Sequence, residues 1–218
     1  MRPGHAGFPP YVEAGPGVWV ALARTPLDGT LAHRLTPGDR ADARRLPPRR
    51  GAERLGARGL LRALLAIRFP EAATADVAYE PSGRPWLLGH PRLGVSVSHG
   101  DGAYTACVAL DRAVGVDVQP PPPDVEDPLL RWCAPGRRQE LTTLSPQDRA
   151  TEFAWMWTVK EACGKALGTG VAGPALTLDI PRGARRGAWG PYRWVSLREH
   201  SPIPLSCAFS SVTRGRPR

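Results

Sequence analysis

The feature that most constrains this sequence is a stretch in its C-terminal half with the periodicity of one long helix. At 3.6 residues per turn, four residues fall in a single i, i+4 row: Phe153, Trp157, Glu161 and Lys165. A carboxylate and an amine therefore lie one turn apart beneath two aromatic rings. The glycines that close the stretch, Gly168 and Gly170, are typical of a helix C-terminus. The pattern predicts a long helix that ends at these glycines and carries polar groups on one face.

The cations of this helix differ from those in the rest of the chain. Of the 29 lysine and arginine residues, only Lys160 and Lys165 are lysines. Arginine stays protonated and suits fixed contacts with anions, whereas lysine can exchange a proton. One lysine on each side of Glu161 therefore indicates that an amine is needed here because it can exchange a proton. The alternative is an ordinary Glu–Lys pair on a solvated face, which stabilises a helix by about 0.3 kcal/mol.

Composition narrows the remaining classes of protein. With 42% apolar residues the chain can bury a core, and its net charge of +9 predicts an anionic partner such as nucleic acid, a phosphorylated cofactor, an acidic protein or a membrane surface. No uncharged apolar run approaches the roughly 18 residues of a membrane span, and the N-terminus lacks a secretion signal. The four cysteines show no C-x-x-C spacing, which argues against zinc or thioredoxin chemistry. We therefore expect a cytoplasmic protein in a reducing compartment.

A second helical pattern runs from Ala52 to Phe69, with leucines on one face. Three guanidinium groups form an i, i+4 row beside them: Arg54, Arg58 and Arg62. Such a row is either a solvated face or a cradle for an anion, and charge alone favours the solvated face.

Several shorter segments have the apolar or alternating pattern of strands. They are Val18 to Ala23, Gly94 to His99, Ala103 to Leu110, Val114 to Gln119, Ala175 to Ile180, Tyr192 to Leu197 and Leu205 to Val212. Each half of the chain then has one long helix and several strands. We predict an α+β fold of two similar lobes related by a pseudo-twofold axis, residues 1–112 and 113–218.

The strand from Gly94 to His99 places polar groups at its end. Val95 and Val97 point one way, whereas Ser96 and Ser98 lie on the other face, with His99 there or at the strand tip. A serine and a histidine in this position can hold a phosphate. The pair is weak support for a hydrolase, because no G-x-S-x-G elbow accompanies it.

One acid lies inside a strand that is predicted to be buried. Gly115, Asp117 and Gln119 share one face at period two. A carboxylate on a core strand is costly unless it is paired or binds a metal. Asp117 therefore either forms a salt bridge with an arginine or holds Mg²⁺ with a nearby oxygen, in which case Gly115 leaves room for the ligand.

Taken together, the motifs resemble the 4'-phosphopantetheinyl transferases. They occur in the order of that family: Gly83-Arg-Pro85, Val95-Ser-Val-Ser-His99, Gly115-Val-Asp-Val-Gln119 and Trp157-Thr-Val-Lys-Glu-Ala-Cys-Gly-Lys165. The resemblance is to the monomeric two-lobed type of the Trp-Lys-Glu-Ala subtype, which serves polyketide and non-ribosomal peptide synthases in secondary metabolism. It spans roughly residues 45–210, and it implies an active site at the seam between the lobes.

The resemblance implies a Mg²⁺-dependent reaction in which coenzyme A donates its phosphopantetheine arm to a serine of an acidic apo carrier protein and leaves 3',5'-ADP. It implies that Asp117, Gln119 and Glu161 form the metal site, and that Glu161 also acts as, or orients, the base. Lys165 would stabilise the pyrophosphate or protonate the leaving group, and Lys160 would contact phosphate. Residues implied to hold coenzyme A, besides the two lysines, are Arg49, Arg54, Arg84, Ser98 and His99; of these, Ser98 and His99 would take the 3'-phosphate.

The sequence departs from the family at one position, where many members have Asp-x-Glu and this chain has Asp117-Val-Gln119. An amide oxygen can ligate Mg²⁺ or bind a metal-bound water, but it adds no charge. We expect activity with weakened metal affinity. The alternative is a degenerate homologue that binds coenzyme A or a carrier without turnover. A basic nucleic-acid-binding protein is a third hypothesis, although no helix-turn-helix, RRM or zinc-finger pattern is present.

Overall fold

The computed structural model of the 218-residue chain describes residues 10–24, 29–170 and 173–211. Its strands form two antiparallel sheets. The first sheet has the order β1-β2-β6-β5-β4-β3, with β1 Tyr11–Gly15, β2 Val18–Ala23, β3 Val77–Tyr79, β4 Pro85–Leu87, β5 Leu93–Gly100 and β6 Ala103–Leu110. The second has the order β7-β10-β9-β8, with β7 Val114–Val118, β8 Arg186–Trp189, β9 Tyr192–Ser196 and β10 Leu205–Ser210.

Two long helices and four shorter ones accompany the sheets in the described ranges. They are α1 Gly29–Ala32, α2 Pro37–Arg44, α3 Pro48–Arg68, α4 Asp127–Cys133, α5 Arg138–Thr142 and α6 Pro146–Leu167. The ends of α6 follow from its sequence: the Ser145 side chain accepts from the backbone N–H of Asp148 at the start, and Gly168 adopts a left-handed conformation with φ 90° at the end. None of these helices is both long and apolar enough to span a membrane.

The elements stack in four layers of helix, sheet, sheet and helix. Leucines on one side of α3 pack against the outer face of the first sheet. The inner faces of the two sheets pack against each other, where Cys107 Sγ on β6 lies 3.6 Å from Cys207 Sγ on β10. The helix α6 covers the outer face of the second sheet and packs on Trp194 and Ala208. Both sheets are therefore buried on one face by a helix and on the other by each other.

The β5–β6 hairpin carries polar residues from the first sheet to the junction with the second. The two strands pair from Leu93 with Leu110 to Gly100 with Ala103. The turn consists of Asp101 and Gly102, with φ angles of 42° and 79°. Such left-handed conformations are favoured by Asp-Gly sequences, so the turn and the register of β5 follow from local sequence.

The mixed α+β class is confirmed, whereas the pseudo-twofold relation stays a prediction. One predicted strand is wrong: residues 175–180 pair with no sheet in the described chain and begin instead within a short 3₁₀-helix, Pro174–Thr177. The Thr177 hydroxyl donates to the carbonyl of Pro174 and closes that turn locally. The last strand ends at Ser210, and Val212 lies outside the described residues.

Candidate active site

A cleft of about 470 Å³ opens between the β5–β6 hairpin, β7 and α6. Eight of the residues that the sequence analysis selected line it: Arg54, Arg84, Ser98, His99, Asp117, Gln119, Glu161 and Lys165. They come from both sheets and both long helices. The fold therefore brings together side chains that are up to 111 positions apart in the sequence, from Arg54 to Lys165.

Asp117 and Lys165 form the centre of the polar network in this cleft. Lys165 Nζ donates to Asp117 Oδ1 at 2.7 Å, to Ser98 Oγ at 3.0 Å and to the carbonyl of Val116 at 3.2 Å. Ser98 Oγ itself donates to Asp117 Oδ1 at 2.7 Å. The acid of the core strand is therefore paired, but with a lysine of α6 rather than with an arginine. All three donors of the Lys165 ammonium group are occupied.

Glu161 lies one turn before Lys165 on α6 and lines the same cleft. Burial, and then the negative charge of Asp117, raise the pKa of Glu161 to about 7, against a smaller lowering by Lys165. Both carboxyl groups, from β7 and α6, line the same cleft. A carboxyl with this pKa can accept or release a proton near neutral pH.

The donor set of the cleft fits a hard divalent cation. Asp117, Glu161 and Gln119 offer carboxylate and amide oxygens, the ligand types that Mg²⁺ prefers. The searched residues contain no cluster of three or more His, Cys, Asp or Glu side chains of the kind that forms an all-protein metal cage. Mg²⁺ usually retains several water ligands and binds only one or two protein carboxylates, so two carboxylates and an amide suit its coordination.

The two faces of β5 have different roles. Ser96 Oγ accepts from the backbone N–H of Val116, and Ser98 contacts Asp117, so this face connects the first sheet to β7. His99 does not share that face. By the two-residue period His99 lies with Val95 and Val97 on the side of α3, one residue before the end of β5. Of the two predicted placements, the one with the serines is therefore wrong, and the one at the strand tip holds.

On the α3 side, His99 meets an acid that sequence reasoning missed. His99 Nδ1 lies 3.5 Å from Glu53 Oε2, and Arg49 Nε donates to Glu53 Oε1 at 3.2 Å. Burial lowers the pKa of His99, and Lys165 and Arg54 lower it further, while Glu53 and Asp117 oppose the shift. The spacing of Arg49 and Glu53 at i, i+4 was the available sequence signal.

The β3–β4 turn brings Arg84 to the C-terminal end of α6. Its guanidinium forms three hydrogen bonds of 2.8 to 3.0 Å with the carboxylate of Glu80. Its Nη1 donates to the carbonyl of Ala166 at 3.3 Å, in the last turn of the helix. A cation is favourable at that end of a helix, so Arg84 links the first sheet to α6 as well as lining the cleft.

The arginine row of α3 is largely buried, and the expectation of a solvated face is wrong. Arg62 forms a bidentate salt bridge with Asp39 at 2.8 and 3.0 Å and is 1% exposed, as is Arg58. Arg54 and Arg58 both donate to the hydroxyl of Tyr79, and Arg54 and Tyr79 line the cleft. The row therefore serves partners on α2 and β3, which the charge pattern alone could not reveal.

Comparison with known proteins gives a consistent result. The profile of the 4'-phosphopantetheinyl transferase superfamily matches residues 113–192. An L-aminoadipate-semialdehyde dehydrogenase-phosphopantetheinyl transferase of Eremothecium gossypii is 33% identical over 207 residues, which cover 82% of this chain and 68% of that protein. This chain belongs to the 4'-phosphopantetheinyl transferase superfamily. The 4'-phosphopantetheinyl transferase HetI of Nostoc is 30% identical, over 70% of each chain. A 4'-phosphopantetheinyl transferase of Bacillus subtilis is 25% identical, and the chain spans 43% of its length.

Membership makes the chain a transferase at the level of the family. The structure places two of the selected residues, Lys160 and Gly115, away from a ligand in the cleft. Lys160 does not line the cleft of this transferase. Its buried ammonium group donates to the carbonyl of Leu176 at 2.5 Å and borders a small separate cavity of about 50 Å³ near Arg137 and Asp179. One residue along a helix rotates a side chain by about 100°, which takes Lys160 away from the face of Glu161. Contact of Lys160 with phosphate stays a prediction that the position of its ammonium group does not favour.

Gly115 makes room for a helix rather than for a ligand. A Cβ atom at this position would lie 2.0 Å from the carbonyl oxygen of Ala162 and 2.5 Å from the backbone nitrogen of Ala166. The backbone of α6 therefore passes directly over β7 at this point. This close approach brings Lys165 within hydrogen-bond distance of Asp117.

Arg49 and Gln119 occupy the edges of the site. Arg49 is mostly exposed and lies outside the cleft, within 3.8 Å of Asp101 in the hairpin turn. Gln119 lines the cleft, and its Nε2 donates to the carbonyl of Pro120 at 3.4 Å. Contact of either residue with a ligand stays a prediction.

Proposed function

We propose that this chain transfers the 4'-phosphopantetheine arm of coenzyme A to a serine hydroxyl of an apo carrier protein and releases 3',5'-ADP. The observation that carries this proposal is the meeting of Asp117, Glu161 and Lys165 in one cleft rimmed by cations. A bond forms between the serine oxygen and the β-phosphorus, and the bond from that phosphorus to the bridging oxygen breaks. The site must therefore accept one proton and stabilise charge on the phosphates.

Glu161 is the group that fits the role of proton acceptor. With a pKa of about 7, it is ionised in about half of the molecules at neutral pH and binds a proton more strongly than an ordinary glutamate. Its partial burial keeps the carboxylate from full solvation. We assign to Glu161 the removal or the orientation of the serine proton.

Mg²⁺ is the cation that these oxygens would hold, with Asp117 and Glu161 as carboxylate ligands and Gln119 as a third oxygen. When bound, it would supply positive charge to the pyrophosphate oxygens as charge develops on them. Gln119 contributes no charge of its own, so we propose that metal affinity is weaker than it would be with a glutamate at this position.

Lys165 is placed to act on the leaving group. Its ammonium group is held by Asp117, Ser98 and the carbonyl of Val116, which fixes its position at the wall of the cleft. Because all three donors are in use, contact with a phosphate oxygen requires Lys165 to exchange one of these partners. Ser98 is the neutral partner among the side chains and is the less costly one to give up.

The nucleotide end of coenzyme A would lie along the cations on the side of the first sheet. We assign its phosphates to Arg54, Arg84 and His99, which line the cleft, with Arg49 at the rim. Arg84 is paired with Glu80, so phosphate contact by Arg84 also involves an exchange of partners. The Ser98 hydroxyl donates to Asp117. We therefore assign Ser98 to the support of the proposed metal site rather than to direct contact with the 3'-phosphate.

The division into two lobes, residues 1–112 and 113–218, belongs to the same proposal. All strands of the first sheet precede residue 112 and all strands of the second follow residue 113. Each sheet carries one long helix on its outer face. A pseudo-twofold relation between the lobes is consistent with this arrangement.

The partner that we propose is an acidic carrier protein or carrier domain of a polyketide or non-ribosomal peptide synthase, modified by a monomer of this chain. The net charge of +9 supports an anionic partner, and it also suits the polyanionic coenzyme A.

Transfer and binding without turnover are separated by one assay. The chain is incubated with an apo carrier protein, coenzyme A and Mg²⁺, and the intact mass of the carrier is measured. We expect the carrier to gain the mass of one phosphopantetheine group. An unchanged carrier mass, together with calorimetric binding of coenzyme A, would instead support the homologue without turnover.

A further inference from the structure

Glu53 occupies an unexpected place for an acid, because it lies beside the cations assigned to the phosphates of coenzyme A. Each of its carboxylate oxygens faces a different cation: Oε1 accepts from Arg49 at 3.2 Å, and Oε2 lies 3.5 Å from His99 Nδ1. Glu53 is 24% exposed, so this pairing occurs in a partly desolvated setting. An isolated acid here would repel a phosphate, and its position therefore calls for a physical reason.

The charged groups around His99 come from three elements, and Tyr104 of β6 pairs with His99 across the hairpin. Glu53 and Arg54 approach from α3, Asp117 from β7 and Lys165 from α6. Of these, Glu53 is the one whose carboxylate faces the imidazole within 4 Å. Arg49 in turn lies 3.8 Å from Asp101 in the hairpin turn. Glu53 therefore lies between His99 on β5 and Arg49 at the rim of the cleft.

We propose that Glu53 is a positioning residue that orients His99 and Arg49 for the 3'-phosphate of coenzyme A. This inference rests on the proposed function, since it assigns a role at the nucleotide end of the same cleft. A carboxylate at Nδ1 fixes the ring and its tautomer, and it leaves Nε2 as the ring atom for a ligand. The same carboxylate restrains the exposed guanidinium of Arg49, which lowers the entropy cost of ordering it on a ligand.

The arrangement also predicts a link between phosphate binding and protons. Donation to Glu53 and to a phosphate at the same time requires both ring nitrogens of His99 to carry a proton. Burial disfavours that cation before the ligand arrives, whereas a phosphate dianion favours it. Binding of the 3'-phosphate therefore takes up a proton, and its contribution to affinity falls as pH rises.

The test compares coenzyme A with 3'-dephospho-coenzyme A, which lacks only the phosphate in question. Calorimetric Kd values are measured for both ligands with the wild type, Glu53→Gln and His99→Gln, and with Glu199→Gln as the control. Glu199 is an exposed acid that pairs with Arg185 outside the cleft. We expect the wild type and the control to prefer coenzyme A, and Glu53→Gln to lose about tenfold of that preference by weaker binding of coenzyme A alone.

Two further readouts separate positioning from a general structural effect. The double variant Glu53→Gln/His99→Gln should lose less preference than the two single losses added as free energies, because Glu53 acts partly through His99 and partly through Arg49. Between pH 6 and pH 9, the preference should fall in the wild type and stay flat in His99→Gln. Equal weakening of both ligands by Glu53→Gln, or an unchanged preference, would overturn the inference. Because binding is measured without turnover, a failure of carrier modification would count against the proposed function and not against this role of Glu53.

Discussion

Asp117 and Glu161 lie in one cleft, yet their surroundings affect them differently. Asp117 accepts hydrogen bonds from Lys165 and Ser98, which compensate its charge. Burial of Glu161, and to a lesser extent the negative charge of Asp117, raise the pKa of Glu161 to about 7. Such a separation of two neighbouring carboxyl groups is a common basis for different roles in one site.

The raised pKa of Glu161 predicts a pH-dependent stability in protein free of divalent cations. The unfolded residue releases its proton near pH 4.5 and the folded residue near pH 7. Between these values the folded state binds more protons, so stability falls as pH rises and becomes constant above about pH 7. The Glu161→Gln variant has no carboxyl group at this position and therefore does not lose stability in this way as pH rises. Allowing for solvent screening, we expect it to be about 1 to 2 kcal/mol more stable than the wild type at pH 8.

Urea unfolding at pH 4 and pH 8, with a chelator present, measures this difference. The advantage of Glu161→Gln should disappear at pH 4, where the wild-type carboxyl is protonated in both states. Equal stability of the two proteins at pH 8 would show that Glu161 is not under electrostatic strain.

The face on which each residue of α6 lies could be predicted from the sequence, because the helical period alone determines it. The row of Trp157, Glu161 and Lys165 lines the cleft as expected. The same reasoning did not extend to Lys160, whose partner, the carbonyl of Leu176, belongs to a segment that was predicted to be a strand. For His99, the predicted alternative on the serine face was wrong although its period with Val97 was visible in the sequence, and its partner Glu53, on a distant helix, could not be predicted.

The buried pair of Arg62 and Asp39 predicts a large effect on stability. Replacing Arg62 by methionine leaves a buried carboxylate without its bidentate partner, so we expect a loss of about 3 to 5 kcal/mol in the free energy of unfolding. Arg131→Met, at an exposed i, i+4 pair with Asp127, should cost less than about 1 kcal/mol.

Chemical denaturation of both variants at neutral pH gives the comparison, and pH adds a second check. Burial raises the pKa of Asp39, but the hydrogen bonds and charge of Arg62 outweigh it and hold that pKa below its usual range. The stabilisation is therefore present above the unfolded pKa of about 3.8 and is lost as pH falls through the lower folded value. A small loss in Arg62→Met would mean that the pair contributes little.

At the level of elements, the contact between β7 and α6 decides whether the cleft exists. Gly115→Ala would place a methyl group on the backbone of α6 and force the helix away from the strand. We expect a loss of about 1 to 3 kcal/mol and a marked loss of transfer activity, since Lys165 would separate from Asp117. Gly136→Ala is the control, because its new methyl group would meet only the end of the Asp179 side chain.

Thermal unfolding and the carrier mass assay, applied to both glycine variants, test this contact. An active and stable Gly115→Ala protein would show that α6 can shift without consequence for the site.

Elements with strong local signals were predictable, and those that depend on partners were not. The β5–β6 hairpin and α6 have turn or cap residues that act within a few positions, and both appear as expected. The helix α2 also had a signal, a capping box between Thr36 and Asp39, but the polar composition around it obscured the pattern. The segment after Gly173 has the composition of a strand, but it forms a short 3₁₀-helix that the Thr177 hydroxyl closes by donating to the carbonyl of Pro174.

At the level of the whole molecule, the site depends on the junction of two sheets that are separate in sequence. The motifs predicted which residues meet, since the resemblance carried their order, but not how the two sheets are held together. That depends on Ser96 and Ser98, which bond to β7, and on Arg84, which reaches the last turn of α6. Such contacts between distant segments leave no periodic trace in the sequence.

The central claim is that Asp117 and Glu161, which line one cleft, act as a single unit in transfer. The most direct measurement is the rate of phosphopantetheine transfer to an apo carrier by the wild type, Asp117→Asn, Glu161→Gln and the double variant. We predict that each single change lowers the rate by about 100-fold or more, and that the double variant is no slower than the slower single variant. Wild-type rates in either single variant, or losses that multiply in the double variant, would contradict the account.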